Sequence, residues 1–461
     1  MATKLAAGNF LAGATSRLLP ASIPLRFFGA AVASHVFAWL ALLAGSAGLP
    51  RFAGGLGWTL AALHLVTLGV LAMTAIGASL QLLPVATRQP VRSMRWPVLV
   101  WWLYAPGVAA IALGMGFAQP WLLATGAAAV VLALLVYAAL LAQNLAGARG
   151  MPVVVAHGWT AFASLLVALL TAFSLAFTYI GMPLLDRGAG LALHVLFAAY
   201  GFMGMLALGL SYILVPMFAL SAAPHERRAL ASCALAILAL ALAAAAALGA
   251  APRPLRIAAV LAAAVAIALH LRLMTVALKT GMRRELGRSF RLVRISWALL
   301  ALSLVAALAL AVDLPFDGMP TLFGLVLIAG WLLTFLLGIL QRIVPFLASM
   351  HKPPGKSPPR TPSSLTADRP LAVHFWCHLA ALTLLALAIV LDSTWIAAAG
   401  AVVGATGAGA FAAFYVILLL RMRRPPAARA PPMPRLLDPH QWTDPVLDGY
   451  SSIRIPLLDR R

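Results

Sequence analysis

The residues that could do chemistry in this chain are few, and most of them are histidines. The 461 residues include 10 His, 2 Cys and 11 acidic residues. The acidic residues are Asp186, Glu226, Glu285, Asp313, Asp317, Asp368, Asp392, Asp438, Asp444, Asp448 and Asp459, and every one falls outside the long apolar stretches. Carriers that couple transport to protons rely on ionisable groups within the membrane, which leaves only imidazoles to fill that role. His35, His64 and His194 lie inside apolar stretches, at related depths. Neutral imidazoles placed this way inside a helical bundle suit axial ligation of haem iron, so these three are the candidate cofactor-binding residues. His374, Cys377 and His378 stand at i, i+3 and i+4 in the run HFWCH, on one face of a helix. That is metal-ligand spacing, and the soft thiolate would suit copper or zinc. There is no CxxCH haem-attachment motif, phosphate-binding loop, nucleophile elbow or HExxH. No catalytic residue is assigned.

The elements that must position these side chains are membrane spans. The chain is 63% hydrophobic and 10% charged, with a mean hydropathy of +0.99. This composition describes a polytopic membrane protein. A span needs about 20 mainly apolar residues. Twelve stretches qualify, at about 25–48, 56–84, 97–118, 120–146, 153–177, 189–219, 227–249, 254–280, 292–312, 321–349, 370–391 and 394–421. The N-terminus lacks a signal-peptide pattern, and the first span is read as uncleaved. Cys233 and Cys377 both sit in apolar segments, so no disulfide framework is implied.

The net charge of +22 reads as an orientation signal rather than a nucleic-acid footprint. With the N-terminus inside, the outer loops carry only Arg51, Arg187, Arg253 and Arg256 of the 33 Lys and Arg. Both termini are therefore expected in the cytoplasm, with some inner arginines meeting anionic headgroups. Residues 1–24 form a cytoplasmic N-terminus. Residues 351–369 are a Pro-rich linker, and 424–461 a Pro/Arg-rich cytoplasmic tail.

One phrase occurs three times. Residues 69–84 read GVLAMTAIGASLQLLP, 201–216 GFMGMLALGLSYILVP and 330–345 GWLLTFLLGILQRIVP. Each is Gly, seven residues, Gly, six residues, Pro, and the starts lie 132 and 129 residues apart. The phrases fall on the second, sixth and tenth spans, so the repeat is four spans long. An even number of crossings keeps each copy in the same orientation, which makes the repeats parallel. Their ranges are about 25–146, 153–280 and 292–421, within a transmembrane domain of 25–421. The small residues predict a close-packed seam around a pseudo-three-fold centre. In an uninterrupted α-helix His194, seven before Gly201, shares the glycine line, whereas His64, five before Gly69, lies about 140° from it.

Twelve spans in three parallel repeats, with His on the second and sixth, resemble subunit I of the haem–copper oxidases. The phrases PLRFF, HLVTLGVLAMTAIGASLQLLPV, SYILVPMFALS and GILQRIVPF are similar to those of bacterial oxidase-subunit-I-like proteins. The NnrS family, membrane proteins with haem and copper tied to nitric-oxide stress, is a more distant relative. The resemblance implies an all-α fold of twelve helices in three arcs, with His64 at the low-spin haem position and His194 at the copper position. It also has departures. HVLFA follows at His194, no His-His pair follows the seventh span, and the tenth span has no His, with Phe323 at the position matching His194. The oxidase centre that reduces oxygen is thus not supported.

The expectation is an inner-membrane, oxidase-subunit-I-like protein that binds haem, with copper as a second candidate. Its role would lie in electron transport and redox balance, nitrosative stress or respiratory assembly. The expected partners are the lipid bilayer and other respiratory-chain membrane subunits, and no nucleic acid. Two other readings are open: a permease for a small solute, and a structural or assembly protein without ligand.

Overall fold

The computed structural model describes residues 17–179, 182, 184–350 and 360–423. Residues 1–16 of the N-terminal segment, 351–359 of the linker and the 424–461 tail lie outside the described residues. The described chain is all helical and contains twelve helices long and apolar enough to cross a membrane. These are α1 (Ser22–Ala44), α2 (Trp58–Ala86), α3 (Arg95–Gly116), α4 (Pro120–Ala146), α5 (Pro152–Thr178) and α6 (Arg187–Ala219). They continue with α7 (Glu226–Ala247), α8 (Pro252–Thr280), α9 (Gly287–Ala311), α10 (Met319–Ser349), α11 (Asp368–Val390) and α12 (Thr394–Arg423).

Local chemistry sets the helix starts. Pro120, Pro152 and Pro252 occupy the first turns of α4, α5 and α8, where the missing N–H costs nothing. Asp186 caps α6 by accepting from the Ala189 N–H at 2.9 Å. The carboxylates stay at helix ends and in loops among the described residues, as their absence from the apolar runs requires. Arg342, within α10, reaches the start of α9, donating to the Ser289 hydroxyl at 2.8 Å and to the Leu286 carbonyl.

The helices form a closed ring of three parallel four-helix repeats. Within each repeat the first two helices pack together, as do the last two. Between repeats, α4 packs on α5, α8 on α9 and α12 on α1. The second helices, α2, α6 and α10, are the inner ones. α10 touches both α2 and α6, and α2 and α10 are the most buried of the twelve.

The glycines of the repeated phrase do not face this centre. A Cβ on Gly69 or Gly77 would meet Ser34 or Phe27 of α1, and one on Gly201 or Gly209 would meet Ser164 or His157 of α5. Gly330 and Gly338 face Leu299 and Leu292 of α9 in the same way. The seam therefore joins each inner helix to the first helix of its own repeat, seating one backbone against the other.

Each inner helix also departs from α geometry at the same place. π-helical segments run over Leu65–Ala72, Leu196–Gly204 and Leu325–Leu333. In a pure α-helix, residues eight apart such as Gly69 and Gly77 would diverge by about 80°. The wider π turns rotate less per residue and bring both glycines toward the same neighbour. Ser34 and Phe27, seven apart on α1, already share a face.

Candidate functional site

His64 is the last α-helical residue before the π segment of α2, and His194 lies two residues before that of α6. Each is seven or eight residues from the start of its helix, about 10 Å deep. The structure thus sets two of the three histidines expected to hold a cofactor at one depth, on helices whose π segments both pack on α10.

Their hydrogen bonds fix how they present themselves. His64 Nδ1 lies 3.0 Å from the Leu60 carbonyl, and His194 Nδ1 lies 3.2 Å from the Ala168 carbonyl of α5 and 3.5 Å from Thr171 Oγ1. A carbonyl can only accept, so Nδ1 carries the proton in both rings. Each Nε2 then holds a bare lone pair, and neither is hydrogen-bonded to a described residue. Metal-ligating histidines have this arrangement, with the second nitrogen donating to a backbone carbonyl. Both rings are half-buried, as are Val66, Thr67 and Leu68 beyond His64 and Val195 to Ala198 beyond His194. On α10 Phe323 is half-buried, and a Cβ on Gly324 would meet nothing within 4 Å. The first thirds of the three inner helices therefore leave room at the level of the two imidazoles.

His35 belongs to a different constellation. Its ring is fully enclosed, 6.0 Å from that of His374, and His374 stacks on His378 at 5.6 Å. Trp39 Nε1 donates to His35 Nε2 at 3.1 Å, which puts the His35 proton on Nδ1. His374 Nδ1 donates to the Gly407 carbonyl at 3.1 Å, leaving Nε2 bare. Thr334 Oγ1 gives its proton to the Ala329 carbonyl at 3.0 Å and accepts from His378 Nε2 at 2.8 Å, leaving Nδ1 bare. Three buried atoms then lack partners: His35 Nδ1, His374 Nε2 and His378 Nδ1. They are one N–H and two lone pairs, the complement of a neutral hydrogen-bonding group. A metal would need a lone pair from each ring, and His35 offers none while Trp39 holds its Nε2.

Cys377 does not complete a metal triad with His374 and His378. It is half-buried on the α12 side, where a Cβ on Gly407 would come within 2.9 Å of its own Cβ. Among the described residues no three His, Cys, Asp or Glu side chains converge to hold a metal ion.

Two polar groupings had no signal in the sequence. Tyr212 of α6 lies between His157 of α5 and His270 of α8, with ring separations of 5.5 and 5.1 Å and His270 Nδ1 at 3.0 Å from its hydroxyl. Gln81 of α2 is fully buried, with both carboxamide atoms unpartnered. Packing between spans gives Tyr212 its neighbours and denies them to Gln81.

No family model and no curated protein matches the chain. Its fold is similar to that of a haem-copper terminal oxidase, seen by cryo-electron microscopy as a dimer, with a TM-score of 0.64 and 13% sequence identity. The likeness covers 89% of this chain and 85% of that one. The chain is a multi-pass membrane protein with the haem–copper oxidase subunit I-like fold.

Proposed function

We propose that this protein is a haem-binding member of the oxidase-subunit-I-like scaffold, held in a bacterial inner membrane with both termini in the cytoplasm. It serves electron transport or nitrosative-stress defence rather than oxygen reduction. The observation that carries this reading is the pair His64 and His194, set at the same depth of two inner helices. Each ties Nδ1 to a carbonyl and presents a bare Nε2 toward half-buried, apolar surroundings.

The donor set fits iron held by imidazole: His64 and His194 would hold haem iron, or His194 a second metal such as copper. Haem bound there would supply one-electron chemistry and a place for a small gas. The chain's own residues do the rest. The Leu60 and Ala168 carbonyls fix the tautomers, and the apolar π segments exclude water. α10 offers Phe323 where an oxidase-like centre would need imidazole, so the pair acts without a third ligand from that helix.

The test is the absorption spectrum of the full chain purified after expression with added haem. A Soret band is expected, lost in His64→Ala, shifted or weakened in His194→Ala and unchanged in His35→Ala. No Soret band in the wild-type protein under haem-replete expression would rule the reading out.

A further inference from the structure

On the arginine-rich side a groove of about 320 Å³ opens between the turn joining α6 to α7 and the last third of α8. It is lined by His225, Arg228, Leu269, Arg272, Leu273 and Val276, among others. The α8 residues stand at i, i+3, i+4 and i+7, so they form one stripe of that helix. Arg272 sits eight residues before the end of α8, about 12 Å from that end. Arg228 is in the first turn of α7. Both side chains are exposed, and neither has an ion pair or hydrogen bond among the described residues. Glu226, two residues from Arg228, pairs with neither of them.

A guanidinium placed inside a span must extend its charge toward the headgroups or meet an anion. Here that cation, Arg272, and Arg228 at the start of α7 converge on one groove whose remaining wall is mainly apolar, with His225 and Thr280 its polar residues, and at Val276 exposed on a membrane helix. A soluble anion would satisfy the arginines and leave that wall uncovered. We propose that this groove is a binding site for an anionic phospholipid. Its phosphate sits between Arg228 and Arg272, with His225 at the rim, and an acyl chain lies along Leu269, Leu273 and Val276. Guanidinium forks match phosphate oxygens in geometry and charge, and the apolar stripe holds the chain at a fixed place rather than anywhere on the surface.

The experiment uses the full chain in detergent, stripped of lipid and then given mixed micelles of phosphatidylglycerol or of phosphatidylcholine. Native mass spectrometry counts the retained lipid, and thermal unfolding reads its effect. Phosphatidylglycerol is expected to be retained and to raise the unfolding temperature, and phosphatidylcholine to do neither. The double variant R228Q/R272Q should weaken retention by about ten-fold or more, the loss of two charge-assisted contacts. R284Q/R288Q removes the same charge from exposed positions outside the groove and should retain lipid as the wild type does. Three results would each overturn the site: equal retention of the two lipids by the wild type, an equal loss in both double variants, or the same stabilisation from inorganic phosphate alone. The two-lipid comparison needs no variant, so it stands even if a substitution harms folding.

Discussion

At His64 and His194 a backbone carbonyl takes the Nδ1 proton, which leaves Nε2 available to a ligand. At His35 an indole N–H occupies Nε2, which leaves a proton rather than a lone pair facing its neighbours. The same residue type is therefore made ready for ligation in one place and unfit for it in another by a single hydrogen bond. If Trp39 sets the His35 tautomer, Trp39→Phe should orphan a buried nitrogen at a cost of about 1–3 kcal/mol. Thermal unfolding in detergent would show this as a lowered midpoint; a midpoint equal to the wild type would show that the bond does not stabilise the native state. The sequence could place each imidazole at a depth in its span. It could not reveal which carbonyl or hydroxyl His194, His374 and His378 meet, because Ala168, Gly407 and Thr334 belong to other helices.

The helix scale explains why the glycines recur. Gly77 and Gly209 leave no room for a methyl group: a Cβ would lie 2.7 Å from the Phe27 Cβ and 2.6 Å from the His157 Cβ. Gly77→Ala and Gly209→Ala should each cost about 1–3 kcal/mol through overpacking. Gly409→Ala on α12, with nothing within 4 Å, should change stability by no more than about 1 kcal/mol. Unfolding curves for the three variants would check the contrast. The π segments also set the rotation of the proposed ligand His64. Deleting Val66 removes one residue from the wide turns of α2, so the helix reverts toward α geometry and His64 turns by about 100°. The expected outcome is a folded protein that has lost the His64-dependent Soret band, read by circular dichroism and absorption together. The repeated phrase was legible in the sequence as a packing device. Its partner was not, because a fixed α period cannot describe a helix whose pitch changes at Leu65, Leu196 and Leu325.

For the whole molecule, ring closure is the decisive step. α12 packs on α1, and Arg51 pairs with Asp392, so the two ends of the described chain are joined. The proposed orientation makes a direct prediction. A cysteine at Ala53 should react with an impermeant maleimide in intact cells, and one at Arg92 only after the inner membrane is opened. The reverse pattern would invert the topology. Background labelling is low because Cys233 is buried and Cys377 lies within a span.

Apolar run length, the Gly-and-Pro phrase and the uneven arginines are local signals, each readable without knowing what packs on what. By themselves they determine twelve helices, three parallel repeats and the basis for an orientation. Which histidines meet was decided by the tertiary structure. His64 and His194 stand on inner helices whose matching π segments both pack on α10. His35, His374 and His378 come together because the ring closes between α12 and α1, against α10. The physical reason is that a buried imidazole has no fixed role of its own. Its tautomer comes from whichever group it meets, four residues along the same helix for His64 and His35 but on another helix for His194, His374 and His378, and helix rotation, which the π segments alter, decides what it can reach.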